Sequence, residues 1–331
     1  MLPMARVFHA VSQLLALKHA RSMDQSCAEV ARPGIVVGMS AEQPAPYSRT
    51  GETTRDAELV EPDTFGQRSP PRRLLPIVLF VATCLSTYLI GGLAFSLALM
   101  FTLLAHELGH YLQARRYGVP ASLPYFIPMP LSPIGTMGAV ILMAPGMGNR
   151  RTLFEIAITG SLAGLVPALL FCVLGLQWSE VVVIADNQMG LMLGEPLLFK
   201  LLVYLTFGPL AEGQDVILHP VAFAGWVGIF ITALNLFPIG QLDGGHVLYA
   251  LLLQRAHTLA KGLLVAAAVA VVLWGYWGWT LMLILLLWIG PVHPPTANDD
   301  VSLGTGRTVL GWAGLLFVPL GFTPMPFYLA T

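Results

Sequence analysis

The chain has 331 residues, of which 56% are hydrophobic and only 11% charged, and its mean hydropathy is +0.72. A soluble globular domain carries about 25% charged residues, so the composition excludes that class and reads as a protein embedded in a lipid bilayer. A formal net charge of −1 leaves no basic surplus to neutralise phosphates, which excludes a nucleic-acid partner.

Residues 1–73 carry mixed charges and scattered prolines (Pro33, Pro44, Pro46, Pro62, Pro70, Pro71) without sustained apolar periodicity, and read as a flexible cytosolic N-terminal tail. Residues 7–17 suit a short amphipathic helix but lack the length of an apolar signal core. Because Asp24 is the first acidic residue, an organelle transit peptide is the alternative. Cys27, Cys84 and Cys172 are far apart, and the last two lie in apolar segments, so no disulfide framework is implied.

A spanning helix needs about 20 mostly apolar residues. Candidate spans are 75–93, 94–112, 154–176, 220–238, 262–277, 279–292 and 309–327, and the short apolar stretch 197–210 dips into the membrane or lies on it. Basic residues mark the cytosolic side. Arg72 and Arg73 precede the first span, Arg115 and Arg116 follow the second, Arg150 and Arg151 precede the third, and Arg255 and Lys261 follow the fourth. The loop 177–219 holds Glu180, Asp186, Glu195, Glu212 and Asp215 against the single cation Lys200, so it lies outside and the amino terminus inside.

The second span contains His106-Glu107-Leu108-Gly109-His110, an HExxH motif. Histidines four apart share one helical face and can grip a zinc ion between them. Such residues are costly at membrane depth, so they line a site rather than face lipid. His110 is five residues before Arg115, about 8 Å from the inner boundary at 1.5 Å per residue. A catalytic zinc site takes three protein ligands and keeps a fourth position open. The adjacent helix offers no suitable carboxylate, but Asn235-Leu236-Phe237-Pro238-Ile239-Gly240-Gln241-Leu242-Asp243-Gly244-Gly245-His246 presents Asp243 in a glycine-rich turn after a span broken by Pro238. Gly244 and Gly245 allow close backbone approach there.

These two motifs and the apolar layout between them, over about residues 75–295, resemble the site-2 protease family of intramembrane zinc metalloproteases, in the branch without a PDZ insertion. The resemblance implies one zinc ion per chain held by His106, His110 and Asp243, with Glu107 as the catalytic carboxylate. It implies substrate contacts from Asn235, near the developing oxyanion, and from Gly135 and Thr136 in a strand or hairpin region at 128–143, whose edge captures an unwound segment by strand addition. Residues 154–157 and Gly160-Ser161-Leu162-Ala163-Gly164 are similar to the small-residue third core helix, with Ser161 where many relatives have proline.

The expected fold is therefore an all-α polytopic membrane protein of six or seven transmembrane helices, with a small strand or hairpin region after the HExxH helix. Residues 74–295 form the metalloprotease core, and 296–331 a loop and final transmembrane helix. The expected function is zinc-dependent cleavage of transmembrane protein substrates in a bilayer. The expected location is the bacterial cytoplasmic membrane with the site towards the cytosol, or alternatively a plastid membrane. Two rival functions use the same residues. A metal transporter needs further polar groups in the outer halves of the spans, and 165–176 and 221–230 hold almost none. A silent substrate-binding pseudoprotease has no need of Glu107, which is present.

Other polar residues have plainer readings. Gly160, Ala163 and Gly164 permit tight helix packing. Glu155 and Asp215 read as solvated or dipole-pairing charges, His219 and His293 as interfacial residues, and Trp274, Trp277 and Trp279 as an interfacial anchor. His246 reads as a neutral histidine at a helix start rather than a ligand. Asn235 either bonds a carbonyl freed by Pro238 or serves the chemistry.

Overall fold

A computed structural model describes residues 74–143, 148–183 and 191–329. The tail expected at 1–73 lies outside the described residues. The described part is mostly helical. Three helices are long and apolar enough to cross a membrane: α1 (Leu74–Arg116), α2 (Arg150–Leu176) and, further along, Arg255–Trp274. By length and composition three of the described helices qualify, so the six or seven spans expected are not all accounted for.

The 43 residues of α1 are not one rod. Gly92 breaks the helix with φ 75° and ψ −175°, a conformation open to glycine because it has no Cβ. In a continuous helix residues 84 and 96 would be about 18 Å apart. Instead Ser96 Oγ donates to the Cys84 carbonyl at 3.0 Å, and the Thr87 and Ser96 hydroxyls are 2.8 Å apart. The chain therefore doubles back at Gly92 into two arms, 74–91 and 93–116, within two residues of the boundary expected between the first two spans.

Strands β1 (Tyr125–Pro128) and β2 (Thr136–Val140) form the antiparallel hairpin expected after the HExxH helix. Two further antiparallel pairs are present. β3 (Glu180–Val183) joins β5 (Gln214–Ile217), and β4 (Leu191–Leu193) joins β6 (Phe327–Leu329). The β-branched run Val181-Val182-Val183 suits a strand, although it is too short to stand out in the sequence. Between these strands lies α3 (Leu197–Phe207), a short apolar helix.

Helix α4 (Pro220–Asn235) is the buried centre of the fold. Ala222, Ala224, Trp226, Val227, Ile229 and Ala233 are all 0% exposed. It packs on α2 through small residues, which let two backbones approach closely. A Cβ on Gly228 would lie 2.7 Å from Ala168 Cβ, and one on Gly225 or Gly175 would strike the facing backbone at Cys172 or Ala222. Helix α4 stops at Asn235, three residues before Pro238, rather than running to 238. The remaining helices are α5 (Asp243–Leu252), α6 (Arg255–Trp274), α7 (Thr280–Ile289) and α8 (Thr305–Gly321). Leucine, isoleucine and valine side chains along α1, among them Leu74, Ile77, Val81, Leu85, Leu89, Leu93 and Leu97, are exposed. Such an apolar exterior belongs in lipid, and the chain is an integral membrane protein.

Glu155 corrects a reading made from the sequence. Its carboxylate is no isolated surface charge. It accepts from Gln113 Nε2 at 3.0 Å, from the Tyr117 hydroxyl, and from Arg307 Nε at 2.6 Å. One side chain thus ties the end of the HExxH arm, α2 and α8 together, and it is 17% exposed. Glu155→Ala is expected to lower stability by about 1–3 kcal/mol, since charged hydrogen bonds are lost and Arg307 is left unpaired. Thermal unfolding in detergent measures this, and adding Arg307→Ala should cost much less than the sum of the two single changes.

Candidate metal centre

His106, Glu107 and His110 are 4%, 5% and 5% exposed, and their arm of α1 presses on the small-residue face of α2. A Cβ on Gly109 would lie 2.8 Å from both Gly160 Cα and Ala163 Cβ, so the two backbones touch. A Cβ on Gly160 would fall inside the His110 ring, and one on Gly164 would lie 2.8 Å from His106 Cβ. The four-residue spacing of the glycines on α2 thus matches the four-residue spacing of the imidazoles on α1. The packing role expected of these residues holds, and what they pack against is the histidine pair itself.

The two imidazoles differ in their neighbours. His110 Nδ1 lies 2.8 Å from the Ile156 carbonyl. A carbonyl only accepts, so Nδ1 carries the proton and Nε2 presents its lone pair. His106 Nε2 is 3.2 Å from the side-chain amide nitrogen of Asn235, the last residue of α4. An amide N–H donates, so that nitrogen is the unprotonated one, and its single lone pair serves either the amide or a metal ion.

The third group arrives through a tight turn. After Asn235 the chain turns through Gly240, whose φ is +61°, and starts α5 at Asp243. A Cβ on Gly244 would strike the Leu236 carbonyl, and one on Gly245 the Gly240 carbonyl. These glycines therefore seat the first turn of α5 on the preceding loop, instead of freeing the backbone for a ligand. Asp243 opens α5, where the helix dipole favours a carboxylate. Its Oδ2 is 3.2 Å from His106 Nε2 and 3.1 Å from His110 Nε2, and those two nitrogens are 3.1 Å apart. Ser161 Oγ donates to the same oxygen at 2.9 Å.

Three lone-pair atoms on a triangle of 3.1–3.2 Å edges suit one small cation. A tetrahedral zinc ion with bonds of 2.0–2.1 Å has neighbouring ligand atoms roughly 3.3 Å apart. The donor set, two imidazoles and one carboxylate, is also one that zinc takes. Among the described residues, no other group of three histidine, cysteine or acidic side chains is disposed to hold a metal.

Gly135 and Thr136 are placed differently. Gly135 has φ +78°, and its carbonyl accepts from Ser86 Oγ at 2.6 Å. A Cβ there would lie 2.8 Å from Thr87 Cα. Thr136 is 1% exposed and donates to the Ile127 carbonyl at 3.0 Å across the hairpin. Their described contacts run within the hairpin and to the first arm of α1, and none runs to His106, His110 or Asp243.

His246 belongs to a separate cluster. Its Nδ1 is 2.7 Å from His293 Nε2, while His293 Nδ1 donates to the Pro294 carbonyl at 2.5 Å. Burial pushes the His293 imidazole below its ordinary range, so it is neutral, its Nε2 accepts, and His246 donates. Tyr249 stacks on His293 and on His257 with ring centres 4.5 and 5.6 Å away. These residues fasten the chain near 293 to α5; His246 stands in the first turn of that helix, as expected, and His293 is 7% exposed and packed on it rather than interfacial. His219 likewise caps α4, accepting from Val221 N–H at 3.3 Å.

The sequence pointed to the two histidines, Glu107, Asp243 and Asn235, and missed the hydrogen bond from Ser161 and the Ile156 carbonyl. Gly160→Ala puts a methyl where the His110 ring sits, and should cost about 1–3 kcal/mol by overpacking and release bound metal. Thermal unfolding and metal analysis check it, with Gly262→Ala as control, because a Cβ there meets nothing within 4 Å.

The description "Peptidase family M50" matches residues 94–275. The chain is 30% identical over 235 residues to "Probable zinc metalloprotease EGY2, chloroplastic" of Oryza sativa subsp. indica, covering 66% of this chain and 41% of that protein. It is 31% identical over 234 residues to "Probable zinc metalloprotease EGY1, chloroplastic" of Arabidopsis thaliana, covering 67% and 41%. With "Probable zinc metalloprotease EGY3, chloroplastic" of Oryza sativa subsp. japonica the identity is 26% over 229 residues, covering 62% and 37%. The chain thus spans about two fifths of the length of these curated relatives. No solved structure matches.

Proposed function

The chain belongs to peptidase family M50, the site-2 protease family, and from that premise we propose that it is an intramembrane zinc endopeptidase that cleaves transmembrane segments of membrane-anchored proteins. The observation that carries this reading is the triangle of His106 Nε2, His110 Nε2 and Asp243 Oδ2 beside the buried carboxylate of Glu107. A zinc ion held by those three atoms supplies Lewis acidity, acidifying a water molecule and polarising a peptide carbonyl.

The chain's own groups divide the remaining work. Glu107, next to one ligand and three residues before the other, takes the proton from water and passes it to the leaving amine. Asn235 directs an amide N–H at the centre, where it can also meet charge developing on the substrate carbonyl. A helical peptide bond is shielded by its own hydrogen bonds, so the substrate unwinds before it is cut. Among the described residues the β1–β2 hairpin is a two-stranded sheet with no third strand on either edge, which supports capture of the unwound segment by strand addition. Gly135 and Thr136 serve that capture by fixing the turn of the hairpin rather than by touching the ligands.

Arg115 and Arg116 end the HExxH arm and Arg150 and Arg151 open α2, which supports a site near the side where basic residues are retained. The relatives carry a chloroplast location in their names. That supports the plastid alternative, and the bacterial cytoplasmic membrane draws no support from them.

The transporter reading has less behind it. Beyond the centre, Phe95, Phe223, Trp226 and Phe230 stack at 4.9, 6.0 and 5.5 Å, and the α2–α4 seam is closed by glycine contacts. The one polar atom of that column, Trp226 Nε1, is bonded to the Gly194 carbonyl at 3.0 Å.

The test uses the full chain in proteoliposomes with a transmembrane reporter. Glu107→Gln should keep its zinc and cleave about 10²–10⁴-fold more slowly, the usual worth of a general base. Asp243→Ala should lose zinc and cleavage together, and a chelator should abolish activity that added zinc restores. Cleavage by Glu107→Gln at the wild-type rate would remove the mechanism.

A further inference from the structure

We infer that Ser161 is a positioning residue of the metal centre, its hydroxyl holding the Asp243 carboxylate so that Oδ2 faces both imidazoles. The inference rests on the reading of His106, His110 and Asp243 as a zinc site. Ser161 is 0% exposed, and its Oγ lies 2.9 Å from Asp243 Oδ2, across 82 residues of sequence.

A serine or threonine inside a helix can turn its hydroxyl back onto the carbonyl four residues earlier, and Thr83, Thr87, Thr102 and Thr206 do so at 2.8–2.9 Å. Ser86 and Ser96 reach across the sequence to the Gly135 and Cys84 carbonyls. Ser161 also reaches across, and its acceptor is a carboxylate rather than a backbone carbonyl. Among the described residues, the side chains bonded to that carboxylate are the two imidazoles and Ser161, so Ser161 is its one partner outside the ligand set. Asp243 stands at the first position of α5, with its backbone fixed by Gly244 and Gly245 against the loop. What the backbone leaves free is rotation about the carboxylate's own bonds, and the serine hydroxyl removes that freedom. Its place on α2, between Gly160 and Gly164, makes one helix responsible for the orientation of all three ligands: a slot for each imidazole and a hydroxyl for the carboxylate.

Partners that orient a metal ligand typically contribute about 10–100-fold in metal affinity. The full chain in detergent is stripped of metal, and zinc affinity is then read by competition with a chromophoric chelator, beside the melting temperature of the metal-free protein. Ser161→Ala should bind zinc about 10–100-fold more weakly while its metal-free melting temperature stays at the wild-type value. Ser161→Thr, which keeps the donor, should return affinity to near wild type. Unchanged affinity in Ser161→Ala, or a loss that Thr does not restore, overturns the inference. A fall in metal-free stability with affinity intact also overturns it, since that marks a packing residue. A wild-type chain that holds no zinc sinks the reading of the centre, and this inference with it.

Discussion

Two imidazoles and a carboxylate sit in a helical interior because a strip of helix α2 has almost no side chains. A polar group buried without a partner costs several kcal/mol, and a membrane interior offers no water to relieve it. The glycines at 160 and 164 let each ring lie against the α2 backbone, and there His110 finds the Ile156 carbonyl as its partner. The neighbouring residues complete the arrangement: Asn235 faces His106 from the end of α4, and Ser161 faces Asp243. Without that bare strip the HExxH arm would stand off by the width of a methyl group, and none of these contacts would form. Helix packing and ligand geometry are here one constraint.

The rest of the fold keeps that contact in place. Glu155 fastens the Arg115–Arg116 end of the HExxH arm to α2 and α8. On the other arm of α1, Ser86 holds the Gly135 carbonyl, so the position of the β1–β2 hairpin depends on a helix that precedes residue 94, where the match to the family begins. The loop from 236 to 242 is compact enough that the first turn of α5 rests on its carbonyls, and the His246–His293 pair with Tyr249 braces that helix from the far side.

Much of the centre was legible because its signals are local. HExxH puts two imidazoles on one helical face through spacing alone, and Asp243 stands out as a carboxylate among glycines after a span followed by a proline. Gly160, Ala163 and Gly164 announce close packing, and the break near residue 93 shows as a boundary between two apolar runs. What stayed hidden depends on pairs that nothing in the sequence connects. Ser161 reads as one more small residue until folding brings it to Asp243. Glu155 reads as a helix-end charge until Arg307, 152 residues later, comes beside it. His246 and His293 each look like solitary boundary histidines, and only their meeting gives either a role. The short strand pairs carry too few residues for a period to show. The helix lengths, too, departed from hydropathy: α4 is a 16-residue helix buried by its neighbours and has no need to match a bilayer on its own.

The aromatic column of Phe95, Phe223, Trp226 and Phe230, with the glycine seam beside it, is closed by apolar groups. Its one polar atom, Trp226 Nε1, is already bonded to the Gly194 carbonyl, so an ion set against those rings would find nothing there to replace its hydration. Any charged group that enters or forms beside Glu107 therefore has no favourable exit through the column.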